Sequence, residues 1–172
     1  MIPRIKKILY TTDLTKNSAY AFRYAVNSAQ KHNAQIYLLH VIEKLSPAVE
    51  GLLGLHMEQS QIKQLWLGKK EEQIKRIHER LKEFAKRELQ SDPETMGRVA
   101  DIIVVEGDPA SEILKKADEL GCDIVVMGTH SHGIITHTFL GSVAEKVLHR
   151  IRKPVYIIPI PEEDTDITFR DI

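Results

Sequence analysis

Two short stretches carry the groups best suited to chemistry. In the first, Thr11-Thr12-Asp13 closes an apolar run that begins at Ile5. In the second, Met127-Gly128 leads into THSHGIITHTFL and then Gly141-Ser142, where a helical pattern begins. A helix start presents backbone N–H groups with no intrahelical acceptor, at the positive end of the helix dipole. With the Ser142 hydroxyl these make an anion site that takes a phosphate without any basic patch.

The second stretch also holds His130, His132 and His137. Imidazole is a common zinc ligand, and three neutral rings hold the ion with one position open; the alternation of His130 and His132 suits a solvated loop equally well. Asp13 reads either as a ligand contact or as the cap of the following turn. Ser142 combines two readings, phosphate donor and helix N-cap, and Glu145 three residues on completes a capping-box pattern. His40 and His149 read as packed or partly exposed structural side chains, and Cys122 beside Gly121 as inert. There is no G-x-S-x-G elbow and no G-x4-G-K-[S/T] loop, so no catalytic residue is assigned. The most enzymatic reading is slow hydrolysis through a divalent ion held by Asp13.

Positioning these residues calls for alternating strands and helices. The near-continuous apolar runs Ile5–Thr11, Gln35–Val41, Asp101–Val105, Asp123–Met127 and Pro154–Ile158 predict strands covered on both faces. Between them, Ala21, Phe22, Ala25, Val26 and Ala29 mark one face of a helix over 18–31. Pro109–Leu120 is a helix with Asp108 as its N-cap and Gly121 as its stop, and another runs from Ser142 to about Ile151. The pattern predicts an α/β fold, a five-stranded, mostly parallel, doubly wound sheet in three layers. In such a sheet ligands bind outside the carboxyl ends of the strands, where strand order reverses, which is where both stretches fall. From about His56 to Leu89, apolar residues recur at helical spacing among Lys, Glu, Gln and Arg, predicting one long helix or two broken near Gly68. Residues 43–55, with Pro47, Gly51 and Gly54, read as a loosely packed loop before it.

The composition, 42% hydrophobic and 28% charged, excludes collagen-like and wholly disordered chains and suits one domain over 1–160, with a helical insertion at about 44–90 and a flexible acidic tail at 161–172. Lys+Arg and Asp+Glu are both 24, so the chain has no overall electrostatic footprint for nucleic acid. That neutrality hides two opposed halves: residues 1–90 carry 16 basic and 9 acidic side chains, residues 91–172 carry 8 and 15. One cysteine, no signal-like N-terminal run and no long apolar segment lead us to expect a cytoplasmic protein without a membrane span.

The spacing Gly128-x2-Ser131-x9-Gly141-Ser142, followed by SVAEKVLHRIRKPVYIIP, resembles the universal stress protein family (UspA-like, Rossmann-like or adenine nucleotide alpha hydrolase-like). Its nucleotide-binding members carry G-x2-G-x9-G-[S/T] after the fourth strand. The resemblance spans Ile5 to about Pro159 and implies binding of ATP, ADP or AMP, with or without Mg²⁺, in a stress-response regulatory or switch protein. It implies that Thr12 and Asp13 meet the ribose or adenine, that Val41 lines the base pocket, and that Met127 and Gly128 lie along base and ribose. It assigns the phosphates to Ser131, Gly141, Ser142 and Val143. Ser131 replaces a glycine: where φ > 0 is needed its side chain costs about 1–2 kcal/mol, whereas its hydroxyl is a new donor. The resemblance also implies a homodimer through Val155–Ile158, with unknown protein partners and no nucleic acid. The alternatives are a dimeric interaction module of the same fold that binds no nucleotide, and a metal-dependent hydrolase using the three loop histidines.

Overall fold

The computed structural model describes residues 2–44, 59–90, 93–129 and 140–159. In chain order the elements are β1 (Lys7–Thr12), α1 (Lys16–His32), β2 (Gln35–Glu43), α2 (Gln59–Glu88), α3 (Pro93–Met96), β3 (Val99–Gly107), α4 (Pro109–Glu119), β4 (Ile124–Gly128), α5 (Ser142–Arg150) and β5 (Val155–Ile158). The five strands form one sheet in the order β3-β2-β1-β4-β5, and every neighbouring pair is parallel.

Alternation along the strands divides the core between two faces. Ile8, Tyr10, Ile36, Leu38 and Val126 pack against Phe22, Ala25 and Ala29 of α1 and Ile77, Leu81 and Phe84 of α2. Leu9, Leu39, Val125 and Met127 pack on the other side against Ile113 and Ala117 of α4 and Ala144 and Val147 of α5. The result is the three-layer α/β/α arrangement that the alternating pattern predicts.

Local chemistry sets where the helices start and stop. Thr15 caps α1, its hydroxyl accepting from the Ser18 amide, and Asp108 caps α4, accepting from the Ser111 amide at 2.9 Å. Gly121 ends α4 in the left-handed conformation at φ +62°. The long segment is one helix of 30 residues that runs through Gly68 without a break. A glycine inside a helix costs about 1 kcal/mol. Burial of Ile77, Leu81, Phe84, Ala85 and Leu89 outweighs it. The short helix α3 has no counterpart in the sequence reading, because four residues are too few to display a period.

The topology opens a crevice at one place. β1 pairs with β2 over its whole length, Lys7 to Thr12, but with β4 only from Ile8 to Tyr10. Beyond Tyr10 the two central strands part at their carboxyl ends. This is also where strand order reverses, β2 and β3 lying to one side of β1 and β4 and β5 to the other.

Candidate functional site

A cavity of about 440 Å³ occupies this crevice. Thr11, Thr12 and Asp13 reach it from the end of β1, His40, Val41 and Glu43 from β2, Met127, Gly128 and Thr129 from β4, and Gly141, Val143 and Ala144 from the start of α5.

The β1 wall is built on a chain of hydroxyls. Ser18 Oγ donates to the Thr15 carbonyl at 2.9 Å, so the 2.7 Å contact between Thr12 Oγ1 and Ser18 Oγ must be donated by Thr12. Thr12 Oγ1 accepts in turn from the Leu14 amide at 3.0 Å. The Thr12 proton is therefore committed inside the protein. Tyr10, fully buried below, donates to the Ser18 carbonyl, and burial keeps its phenol protonated far above the ordinary range. Asp13, at the mouth, accepts from the Thr15 amide at 3.0 Å and the Thr15 hydroxyl at 2.6 Å, both at Oδ1. It thus folds the turn into α1 without being that helix's N-cap, and its exposed carboxylate still lines the cavity.

The opposite wall is the start of α5. Here the expected cap is corrected: Gly141, not Ser142, is the N-cap, and among the described residues no side chain caps the helix. Ser142 is the first helical residue, because the Gly141 carbonyl accepts the first intrahelical bond, from the Glu145 amide at 2.9 Å. The capping-box pattern of Ser142 and Glu145 is therefore not used. The amides of Ser142, Val143 and Ala144 have no intrahelical acceptor and, among the described residues, receive no cap. The Gly141 amide donates to the Thr129 carbonyl at 2.7 Å, and the Thr129 amide to the Ile158 carbonyl at 3.1 Å, fastening the helix start to β4 and β5.

Of the residues singled out by sequence, Thr12, Asp13, Val41, Met127, Gly128, Gly141 and Val143 line this one cavity, and Ser142 lies between two of them. Ser131, His130, His132 and His137 lie outside the described residues. Among the described residues no three His, Cys, Asp or Glu side chains gather to hold a metal ion. Cys122 is buried, and burial pushes its thiol up to about 11, against the weaker pull of Lys153 and Lys7.

Among the lining residues that the sequence reading did not place at the site is His40. Register places it opposite Thr12, whose carbonyl lies 2.8 Å from its Nδ1. A carbonyl only accepts, so Nδ1 carries the proton. Burial lowers the ring's proton affinity below the usual histidine range, against the raising effects of the Thr12 carbonyl and Asp13. The single available signal was its place at the end of a strand beside Val41, which a structural histidine shares.

The comparisons with known proteins agree with this architecture. The sequence profile of the universal stress protein family matches residues 4–159. The chain belongs to the universal stress protein family. It is 32% identical over 161 residues to the universal stress protein MJ0577 of Methanocaldococcus jannaschii, covering 89% of this chain and 94% of that protein. A second universal stress protein of that organism, MJ0531, is 30% identical over 161 residues, 92% of this chain and 85% of its own. The solved structure of MJ0577 superposes with a TM-score of 0.69 at 27% identity, covering 94% of this chain and 100% of that one. A universal stress protein solved in complex with cAMP shares the fold at a TM-score of 0.53 and 19% identity, over 91% and 98% of the two chains. No described helix of this universal stress protein is long and apolar enough to cross a membrane.

Proposed function

We propose that this universal stress protein binds an adenine nucleotide, ATP or its ADP or AMP relatives with or without Mg²⁺, in the β1–β4 crevice and acts as a stress-response regulatory or switch protein. The observation that carries the reading is the start of α5, uncapped among the described residues, forming one wall of the cavity whose other wall carries Asp13 and Val41. A phosphate group meets amides and a helix dipole at one end, while a ribose hydroxyl meets a carboxylate at the other. In this reading Gly141, Ser142, Val143 and Ser131 take the phosphates, and Met127, Gly128 and Val41 line the base and ribose. Thr12, its hydroxyl proton already spent on Ser18, acts by fixing the turn at Leu14 that follows Asp13. A protein of the same fold solved with cAMP, itself an adenine nucleotide, supports the ligand class.

The test is chemical. Freshly purified protein is precipitated with acid and the supernatant assayed for adenine nucleotide, and the stripped protein is titrated calorimetrically with ATP, with and without Mg²⁺. We expect bound nucleotide or saturable heat; neither one appearing would reject the reading in favour of an interaction module. Because the described lining has no lysine or arginine, ATP affinity should change by less than about threefold between about 0.05 and 0.3 M salt. A steep decline would mean that basic side chains from elsewhere reach the phosphates.

A further inference from the structure

The described lining of the cavity holds two carboxylates, Asp13 and Glu43, one imidazole, His40, and no lysine or arginine. An anionic ligand entering it meets side-chain charge of its own sign. His40 is the lining group whose charge changes nearest to neutral pH. Its geometry fixes what that change does. With Nδ1–H held on the Thr12 carbonyl at 2.8 Å, the second proton can add only at Nε2, and among the described residues none hydrogen-bonds that nitrogen.

We propose that His40 sets the charge of the cavity: neutral, it offers Nε2 as an acceptor; protonated, it offers an N–H donor and a positive charge, so that binding of a phosphate-bearing ligand and proton uptake at this ring are linked. The inference rests on the nucleotide reading for its ligand class, but its charge argument needs only a phosphate. Three charged groups bear on the ring. Asp13, in the turn after β1, favours its protonation; Arg80, on α2, opposes it; and Glu43, three residues along β2, lines the same cavity. Burial opposes protonation most, so the ring is neutral at pH 7.5 and charges only below the ordinary histidine range. The sign then follows: an anion favours the charged ring, so binding tightens as pH falls, and the bound anion raises the ring's proton affinity by the same factor.

The experiment compares the wild-type protein with His40→Gln, whose amide keeps a donor for the Thr12 carbonyl. Both are titrated with ATP at pH 7.5 and 5.5; protonation of ATP itself is common to the two, so the ratio of their affinities reports the ring. We expect that ratio to move about 3- to 10-fold in favour of the wild type at the lower pH, the size of one partly screened charge pair. A ratio that does not change with pH overturns the proposal. A second measurement needs no variant: the His40 ring resonance of the wild type is titrated by NMR with and without inorganic pyrophosphate. A rise of about half a pH unit or more in the midpoint supports the linkage, and an unmoved midpoint overturns it. Pyrophosphate has no base, so a midpoint that rises in a protein unable to bind ATP rejects the nucleotide reading and leaves the role of His40 standing.

Discussion

Gly121 and Asn33 solve the same problem with different residues. Each follows a helix in the left-handed conformation, Gly121 at φ +62° and Asn33 at φ +51°. In each case the next amide reaches back across the turn, Cys122 to the Ala117 carbonyl at 2.9 Å and Ala34 to the Ala29 carbonyl at 3.0 Å. A Cβ on Gly121 would meet nothing within 4 Å, so the cost of a side chain there is that of the backbone alone. Gly121→Ala should lower the free energy of unfolding in urea by about 1–2 kcal/mol with the slope of the transition unchanged. Stability equal to the wild type would mean that the turn relaxes into another conformation. Leu14 is the third such position, at φ +68°, and it is neither glycine nor asparagine. Its strain, on the order of 1–2 kcal/mol, sits next to Asp13 and is held by the bond from its amide to Thr12 Oγ1. Thr12 is thus worth more as the clamp of a strained turn than as a free hydroxyl.

At the scale of elements, an aromatic chain ties together the parts that carry the β1 wall. Tyr10 of β1 lies 5.0 Å from the ring of Phe22 on α1, which lies 5.1 Å from Phe84 on α2. All three are fully buried. Removing the middle ring leaves a cavity that neither neighbour can fill without moving its helix or strand. Phe22→Ala should cost about 3–5 kcal/mol by urea or thermal denaturation. A loss below about 1 kcal/mol would mean that α2 collapses onto β1 and that the helix is loosely seated. Phe22 and Phe84 were both legible in the sequence, as members of apolar stripes at helical spacing, and so were the five strands. The strand ends were less so: β3 runs from Val99 to Gly107, two residues past the apolar run at each end, because backbone pairing with β2 continues where side-chain burial stops. The site divided in the same way. Asp13, Gly128 and Gly141 stand out because they follow strands or open a helix. His40 does not, since its partner Thr12 is 28 residues away and meets it only through the parallel register. Ser142 was expected as the cap because its hydroxyl suits that role, but the bond from the Glu145 amide to the Gly141 carbonyl starts the helix one residue earlier.

At the scale of the whole molecule the sheet has two edges, and β5 is the shorter, four residues between Pro154 and Pro159. The Val125 amide donates to the Pro154 carbonyl and the Thr129 amide to the Ile158 carbonyl, so β5 faces β4 through its even-numbered residues. The N–H and C=O groups of Val155 and Ile157 then point outward, and among the described residues no strand pairs with them. On the same strand Tyr156 is 39% exposed. A short edge with apolar neighbours suits a two-fold pairing in which each copy covers the other, and we propose that two chains associate through Val155–Ile158. Sedimentation of the wild type should then give twice the chain mass of 19.6 kDa. Tyr156→Lys, which leaves the backbone edge intact and sets two like charges close to the symmetry axis, should shift the equilibrium toward the monomer while far-UV dichroism stays unchanged. The shift should shrink as salt is raised, since screening weakens repulsion between exposed charges. A wild type that sediments as a monomer would refute the pairing outright, and a variant that remains a dimer at low salt would move the interface away from β5.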